Sequence, residues 1–125
     1  MDENMIANKI IGAAIEVHRT LGPGLLESAY QDCLKYELNL AGLDSECQSP
    51  VALAYKGLII GEAYRLDLLI ENKVIIELKT IPELLDIHKA QLLTYLRLTN
   101  KKLGLLINFN EILLKHGIKR IANNL

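Results

Sequence analysis

Apolar residues recur every three or four positions in the first third of the chain and every second position after it. This change of period divides the sequence into two regimes. Ile6, Ile10, Ala14, Val17 and Leu21 share one face of a helix expected over Asn4 to Leu21. "LGPG" (Leu21 to Gly24) ends it, because Gly22 accepts positive φ and Pro23 cannot continue the hydrogen-bond ladder. A second helix is expected from about Leu25 to Ala41, closed by Gly42, with Leu26, Tyr30, Cys33, Leu34 and Leu38 as its inward stripe. From about Glu46, "SPVALAYKGLIIGEAYRLDLLI" holds two strand-like runs joined by the turn signal Lys56-Gly57. "KVIIELKT" reads as a third strand, reached through Glu71-Asn72. Pro82 then opens a helix that runs to about Thr99. "LGLLINF" reads as a buried strand and "EILLKHGIKRI" as a short final hairpin or edge strand. The order α-α-β-β-β-α-β-β describes an α/β fold. In it, an antiparallel meander passes through a helical crossover into a strand parallel to the third.

Composition narrows this picture. A chain of 125 residues with no low-complexity linker or internal repeat is expected to form one domain over residues 1–125. The acidic start "MDENMIANKI" does not fit a signal peptide, and no apolar run approaches the roughly 20 residues that span a bilayer. Cys33 and Cys47 have no metal-ligand spacing, which favours reduced thiols and a cytoplasmic location. Charge is uneven. Residues 1–50 hold three Lys/Arg against eight Asp/Glu, a net of −5, and residues 51–125 hold eleven against seven, a net of +4. The later part can therefore offer a basic rim to a polyanion, although solvated faces account for an asymmetry of this size equally well.

The segment "RLDLLIENKVIIELKT" (Arg65 to Thr80) places Asp67 inside one apolar run and Glu77 and Lys79 inside the next. Strand geometry points Glu77 and Lys79 to one face. The turn decides whether Asp67 joins them. A two-residue turn pairing Glu71 with Val74 sets Asp67 opposite Leu78. A three-residue turn of Glu71, Asn72 and Lys73 pairs Ile70 with Val74 and so brings Asp67 to Glu77. Exposed charges on a wet sheet face are the plain alternative. Against it, Leu69 and Ile75 share the charged face. Two close carboxylates also repel unless a cation lies between them, and oxygen ligands suit magnesium or manganese.

These residues resemble the core of the PD-(D/E)xK nucleases: an aspartate (Asp67), nine residues, then Glu77-Leu78-Lys79. "GLLESAY" (Gly24 to Tyr30) is similar to the signature of the GxxExxY proteins, a branch grouped with that superfamily. "EVHRTLGPG", "YRLDLLIENKVIIELK", "AQLLTYL" and "GLLINF" resemble the same family in the same order. Leu66 stands where the superfamily name has proline. The resemblance implies a restriction-endonuclease-like core, a mixed sheet with two N-terminal helices and a crossover helix.

It also implies roles. Asp67 and Glu77 would be metal ligands, with the backbone carbonyl of Leu78 as a further oxygen, for Mg2+ or Mn2+. Lys79 would orient or help deprotonate the attacking water and offset charge on the phosphate. Glu27 resembles the acidic residue that an early helix adds to such sites, although a first-turn glutamate is also favoured by the helix dipole. Gln91 would position the lysine, a water or a phosphate. Tyr30 lies one turn from Glu27 and shares its helix face. With Tyr30, the expected substrate contacts are His18, His88, Tyr95, Lys101 and Lys102. His18 reads equally as a helix C-terminal dipole partner, His88 as an ordinary surface histidine, and the lysines as solvated strand ends. No histidine pairs with a cysteine at zinc-finger spacing, which argues against zinc. One phenylalanine and no tryptophan leave no base-stacking platform. The expected activity is metal-dependent hydrolysis of phosphodiester bonds in nucleic acid, DNA first. The alternative is a nuclease-fold module that cleaves nothing and binds nucleic acid or a protein partner. A second copy of the chain is a further expected partner.

Overall fold

The computed structural model describes all 125 residues. Helix α1 (Glu3–Leu21) starts at Asp2, whose side chain accepts from the Met5 amide at 2.8 Å. It ends at Gly22, which takes φ 70 and donates its N–H to the carbonyl of His18. Helix α2 (Glu27–Leu40) buries Tyr30, Leu34 and Leu38. Two members of its expected stripe differ. Leu26 precedes the helix in extended conformation and is 77% exposed, and Cys33 is only half-buried. A stripe drawn by helical spacing does not hold at a residue outside the helix.

Strands β1 (Ser45–Tyr55), β2 (Leu58–Ile70) and β3 (Val74–Lys79) form the antiparallel meander. Helix α3 (Asp86–Thr99) then crosses over to β4 (Leu103–Asn108), which runs parallel to β3. A 3-10 turn (Leu114–Gly117) leads to β5 (Ile118–Ala122), antiparallel to β4 at the sheet edge. The strand order is β1-β2-β3-β4-β5. Element order and crossover agree with the sequence pattern, and of the two forms expected for the last segment the edge strand is the one present. One detail differs. Helix α3 begins four residues after Pro82, at Asp86, because the Leu85 amide is capped by Nδ1 of His88 at 2.9 Å and Leu85 itself is extended.

β3 and β4 are apolar on both faces because both faces are covered. Ile76, Leu78, Leu105 and Ile107 pack with Ile6, Ile10, Leu34 and Leu38 of α1 and α2. Ile75 and Leu106 pack on the other side with Leu92 and Leu96 of α3. Gly104 lets α3 approach, since a Cβ there would lie 2.8 Å from the Leu92 side chain. The carboxyl ends of β3 and β4 are tied together. Phe109 donates its N–H to the Lys79 carbonyl at 2.9 Å. The buried Asn108 side chain accepts from Ile81 N (3.1 Å) and Asn110 N (3.2 Å) and donates to Ile81 O (2.9 Å).

Asn108→Ala would remove these three hydrogen bonds and leave the Ile81 amide unpaired, while the Ile81 carbonyl keeps the Asn110 side-chain amide at 3.2 Å. A loss of about 2–3 kcal/mol in denaturant unfolding is expected. A loss below about 0.5 kcal/mol would show that water replaces the side chain.

Candidate functional site

Glu71 and Asn72 both take positive φ (53 and 54), and Lys73 N donates to Ile70 O at 2.9 Å. The turn therefore has three residues, and the register is Ile70↔Val74, Leu69↔Ile75, Leu68↔Ile76. Of the two turns that the sequence allowed, this one brings Asp67 to Glu77. At that point the regular ladder stops and side chains take over. Oε2 of Glu77 accepts from the Asp67 amide at 2.9 Å, and Oδ2 of Asp67 accepts from the Leu78 amide at 2.8 Å. A strand residue turns its N–H and C=O to the same edge, so the Leu78 carbonyl faces the same gap.

Asp67 sits where β2 changes its facing. Leu68 packs on the α1/α2 side, yet Leu66, two residues earlier, is buried with Val51, Leu69 and Ile75 under α3. Opposite, between the pairs Cys47↔Leu68 and Ser49↔Leu66, Gln48 takes φ 54. Leu66, in the place of the superfamily proline, thus serves as a core residue.

The electrostatics follow from burial. Glu77 is 2% exposed, and its Oε1 is buried without a hydrogen-bond partner. Desolvation first, and the charge of Asp67 second, push its carboxyl up to about 8. Glu27 lies in the first turn of α2. Its carboxyl is also raised, by burial and then by Asp67, while Lys79 acts in the opposite sense. Glu27 is therefore within electrostatic reach of both. Asp67, Glu27 and Lys79 are each half-exposed, and none of the surface clefts is lined by them. The four groups meet at an open sheet end, outside any cleft.

Several expected site residues have other work. The Tyr30 ring is fully buried, stacked on Phe109 at 4.4 Å, and its hydroxyl donates to Gly22 O (2.5 Å) and accepts from Leu25 N (3.2 Å). It pins the loop before Glu27 and is closed to substrate. His18 is largely buried against Phe109 with Nε2 2.6 Å from the carbonyl of Glu111, so its ring is committed to that carbonyl, away from the acidic pair. His88 caps α3. Lys101 and Lys102 precede Leu103, which pairs with Val74, whereas Lys79 pairs with Asn108 at the other end of the strands. Lys101 donates to Asn72 in the β2–β3 turn. At about 3.3 Å per residue, the two lysines lie some 15 Å or more from Lys79 along the sheet. Gln91 is exposed on α3 beside the buried Leu92.

Tyr95 does reach the site, through a residue that the sequence reading passed over. Its ring stacks on Tyr64 at 4.1 Å, and burial, then the charge of Glu77, raises the Tyr64 phenol. In a regular strand Tyr64 would face with Leu66 and Leu68, away from Asp67. Only the change of facing at Asp67 puts it beside Glu77, and nothing in the local sequence announces that.

No group of three His, Cys, Asp or Glu side chains stands close enough to enclose a metal ion. The expected trio is thus an interlocked pair with Glu27 near it, because one oxygen of Asp67 and one of Glu77 are each taken by a backbone amide. The donors nevertheless fit a hard cation. They are all oxygens, and Oε1 of Glu77 is a buried acceptor with nothing to accept from.

A five-stranded mixed sheet, with two helices on one face and a crossover helix on the other, carries its charged residues at the carboxyl end of β3. This is the restriction-endonuclease-like class of α/β proteins. The family model described as PD-(D/E)XK nuclease superfamily matches residues 4–121, and the chain belongs to that superfamily. The solved structure described as "Crystal structure of SSO0001" is similar in fold, with a TM-score of 0.58 at 23% identity. The likeness covers 79% of this chain and 48% of that one, so this chain spans about half its length. No curated protein matches the chain. No helix is long and apolar enough to cross a membrane.

The Glu77 carboxyl gives a prediction with a definite sign. A folded-state pKa raised to about 8 makes protonated Glu77 a source of stability. That contribution is complete below the unfolded value of about 4.3 and is lost as pH rises through about 8. In chelator-treated protein, Glu77→Gln should melt with the parent at about pH 4 and above it by about 4 °C or more at about pH 9. An equal difference at both pH values would mean that Glu77 titrates normally.

Proposed function

We propose that the protein is a metal-dependent nuclease of the GxxExxY branch that hydrolyses phosphodiester bonds of nucleic acid, with DNA as the first substrate to test. The observation that carries this reading is the interlocked pair of Asp67 and Glu77, with a free buried oxygen on Glu77, beside Glu27 and Lys79. Asp67, Glu77 and Glu27, with the Leu78 carbonyl, would hold a magnesium or manganese ion. When bound, such an ion supplies Lewis-acid stabilisation and eases deprotonation of water.

The chain's own residues account for the rest. The Lys79 ammonium offsets charge that grows on the phosphate and orients the attacking water. Two amide hydrogen bonds keep Asp67 and Glu77 from turning away, so their orientation is set before substrate arrives. In the signature, Glu27 is the group that faces the site and Tyr30 is the pin that holds it there. Gln91, exposed on α3, is available to a water or phosphate. The non-catalytic module is the second reading, and one observation favours it: Lys101 and Lys102 stand at the far end of the sheet and leave the site short of cations.

The test is cleavage of labelled single-stranded, duplex and branched DNA and RNA by chelator-treated protein resupplied with magnesium or manganese. Cleavage of at least one substrate is expected, with Glu77→Ala inactive. Lys79→Ala should keep its calorimetric metal affinity and lose at least about 100-fold in rate. Lys79→Arg should not restore the rate fully, since arginine does not give up its proton. No cleavage in either metal, or an unimpaired Lys79→Ala, would leave the binding module as the reading.

A further inference from the structure

Beyond Asp67 the sheet loses its neighbours. β2 pairs with β3 only from Leu68 onward, and β1 is the terminal strand. The distal parts of β1 and β2 therefore pair only with each other, as a two-stranded arm with two free edges, and every residue from Ala54 to Ala63 is exposed. Such a ribbon is at best marginal with both faces in water, and its composition is unlike that of a wet one. From Val51 to Tyr64 the only charged residues are Lys56 at the tip and Glu62 near the base.

The register sorts the side chains. Leu53 pairs with Ile60 and Tyr55 with Leu58, so these four share one face, while Ala54 pairs with Ile59 on the other. On the first face Tyr55 is 57%, Leu58 60% and Ile60 37% exposed. The opposite face offers Ile59, 73% exposed, beside small alanines.

We propose that this arm is a self-association surface, on which two copies of the chain pack the Leu53/Tyr55/Leu58/Ile60 faces against each other about a two-fold axis. Two features select a second copy as the occupant. The one charge near the mating face is Lys56, whose ammonium lies 5.3 Å over the Tyr55 ring. With the arms antiparallel, the tip of each lies over the base of the other, so the two ammoniums stay apart and each faces the neutral Glu62–Arg65 ion pair of the second copy. The second is area. Tyr55, Leu58 and Ile60 expose roughly 300 Å² per copy, the size of a functional apolar patch. Two such faces come to roughly 600 Å², the scale of a weak, transient contact. The dimer is accordingly of the weak class, forming in the micromolar range. A nucleic-acid partner fits the face less well, because Lys56 is the only cation on the exposed arm to meet phosphates. The proposal stands apart from the catalytic reading, since it needs neither metal nor substrate.

Sedimentation velocity on the whole protein, from about 1 µM to about 200 µM and without nucleic acid, reads it directly. The expected result is a mass that rises toward twice that of the chain. Leu58→Asp should weaken association at least about 10-fold, the scale of one buried apolar contact replaced by a charge. Ile59→Asp, one residue away on the opposite face, should leave it within about twofold. Both variants should keep the parental circular dichroism, because the arm lies outside both cores. The proposal is overturned by a parent that stays monomeric throughout, by equal effects of the two aspartates, or by a monomer in which Leu58→Asp instead weakens DNA retention.

Discussion

The chain depends on what happens where the β2–β3 ladder ends. A continued ladder would have used the amides of Asp67 and Leu78 in backbone pairing. Here they go to carboxylates, each from the opposite strand. The exchange closes the gap between two diverging strands and fixes two acidic side chains in one step. It also places a carboxylate where water is largely excluded, with one oxygen satisfied and the other not. A group held in that state is costly, and the raised Glu77 and Glu27 carboxyls register the cost. The surrounding structure keeps it in place through continuous burial on both faces of β3, which fixes the register that the side chains then use.

Much of this was legible because it rests on periods and counts. The order of elements follows from the change between helical and strand spacing. The register follows from whether Glu71-Asn72-Lys73 turns as three residues or two, and the sequence reduced that question to two answers. What could not be read concerns side chains whose partners are distant in sequence. The partner of His18 is the carbonyl of Glu111, and Tyr30 stacks on Phe109. Spacing turns Tyr30 inward, as the structure has it, but names the partner of neither residue. Lys101 and Lys102, expected at the substrate, lie far from it because a parallel crossover returns the chain to the start of the next strand. Tyr64 was hidden by the change of facing at Asp67, a backbone event that leaves no pattern in a strand of alternating apolar residues.

The motif "GLLESAY" gains a physical meaning from these contacts. Its tyrosine closes the α1–α2 loop by bonding to Gly22 and Leu25 and anchors that loop on Phe109. Phe109 in turn bonds by its amide to Lys79, and its neighbour Asn108 holds Ile81. Glu27 and Lys79 are therefore positioned by one connected set of buried residues at the end of β4, although they come from segments some fifty residues apart. Tyr30, at i+3 from Glu27, fixes the loop before Glu27 from a fully buried position.

The charge balance at this sheet end constrains any activity proposed for it. Three carboxyl groups face one ammonium. Glu77, pushed up to about 8, gives up its proton only above neutral pH, and the neighbouring tyrosine phenols are raised by burial and by the negative field of the carboxylates. A phosphate diester approaching unaided would meet net repulsion, and Lys79 alone does not reverse it. On the nuclease reading proposed above, a cation would therefore bind before the phosphate at this end of the sheet. The same field explains why the residues suit a dication and not a second lysine. One more ammonium would pair with Asp67 or Glu77 in a closed salt bridge, whereas a multivalent ion keeps coordination positions open for other oxygens.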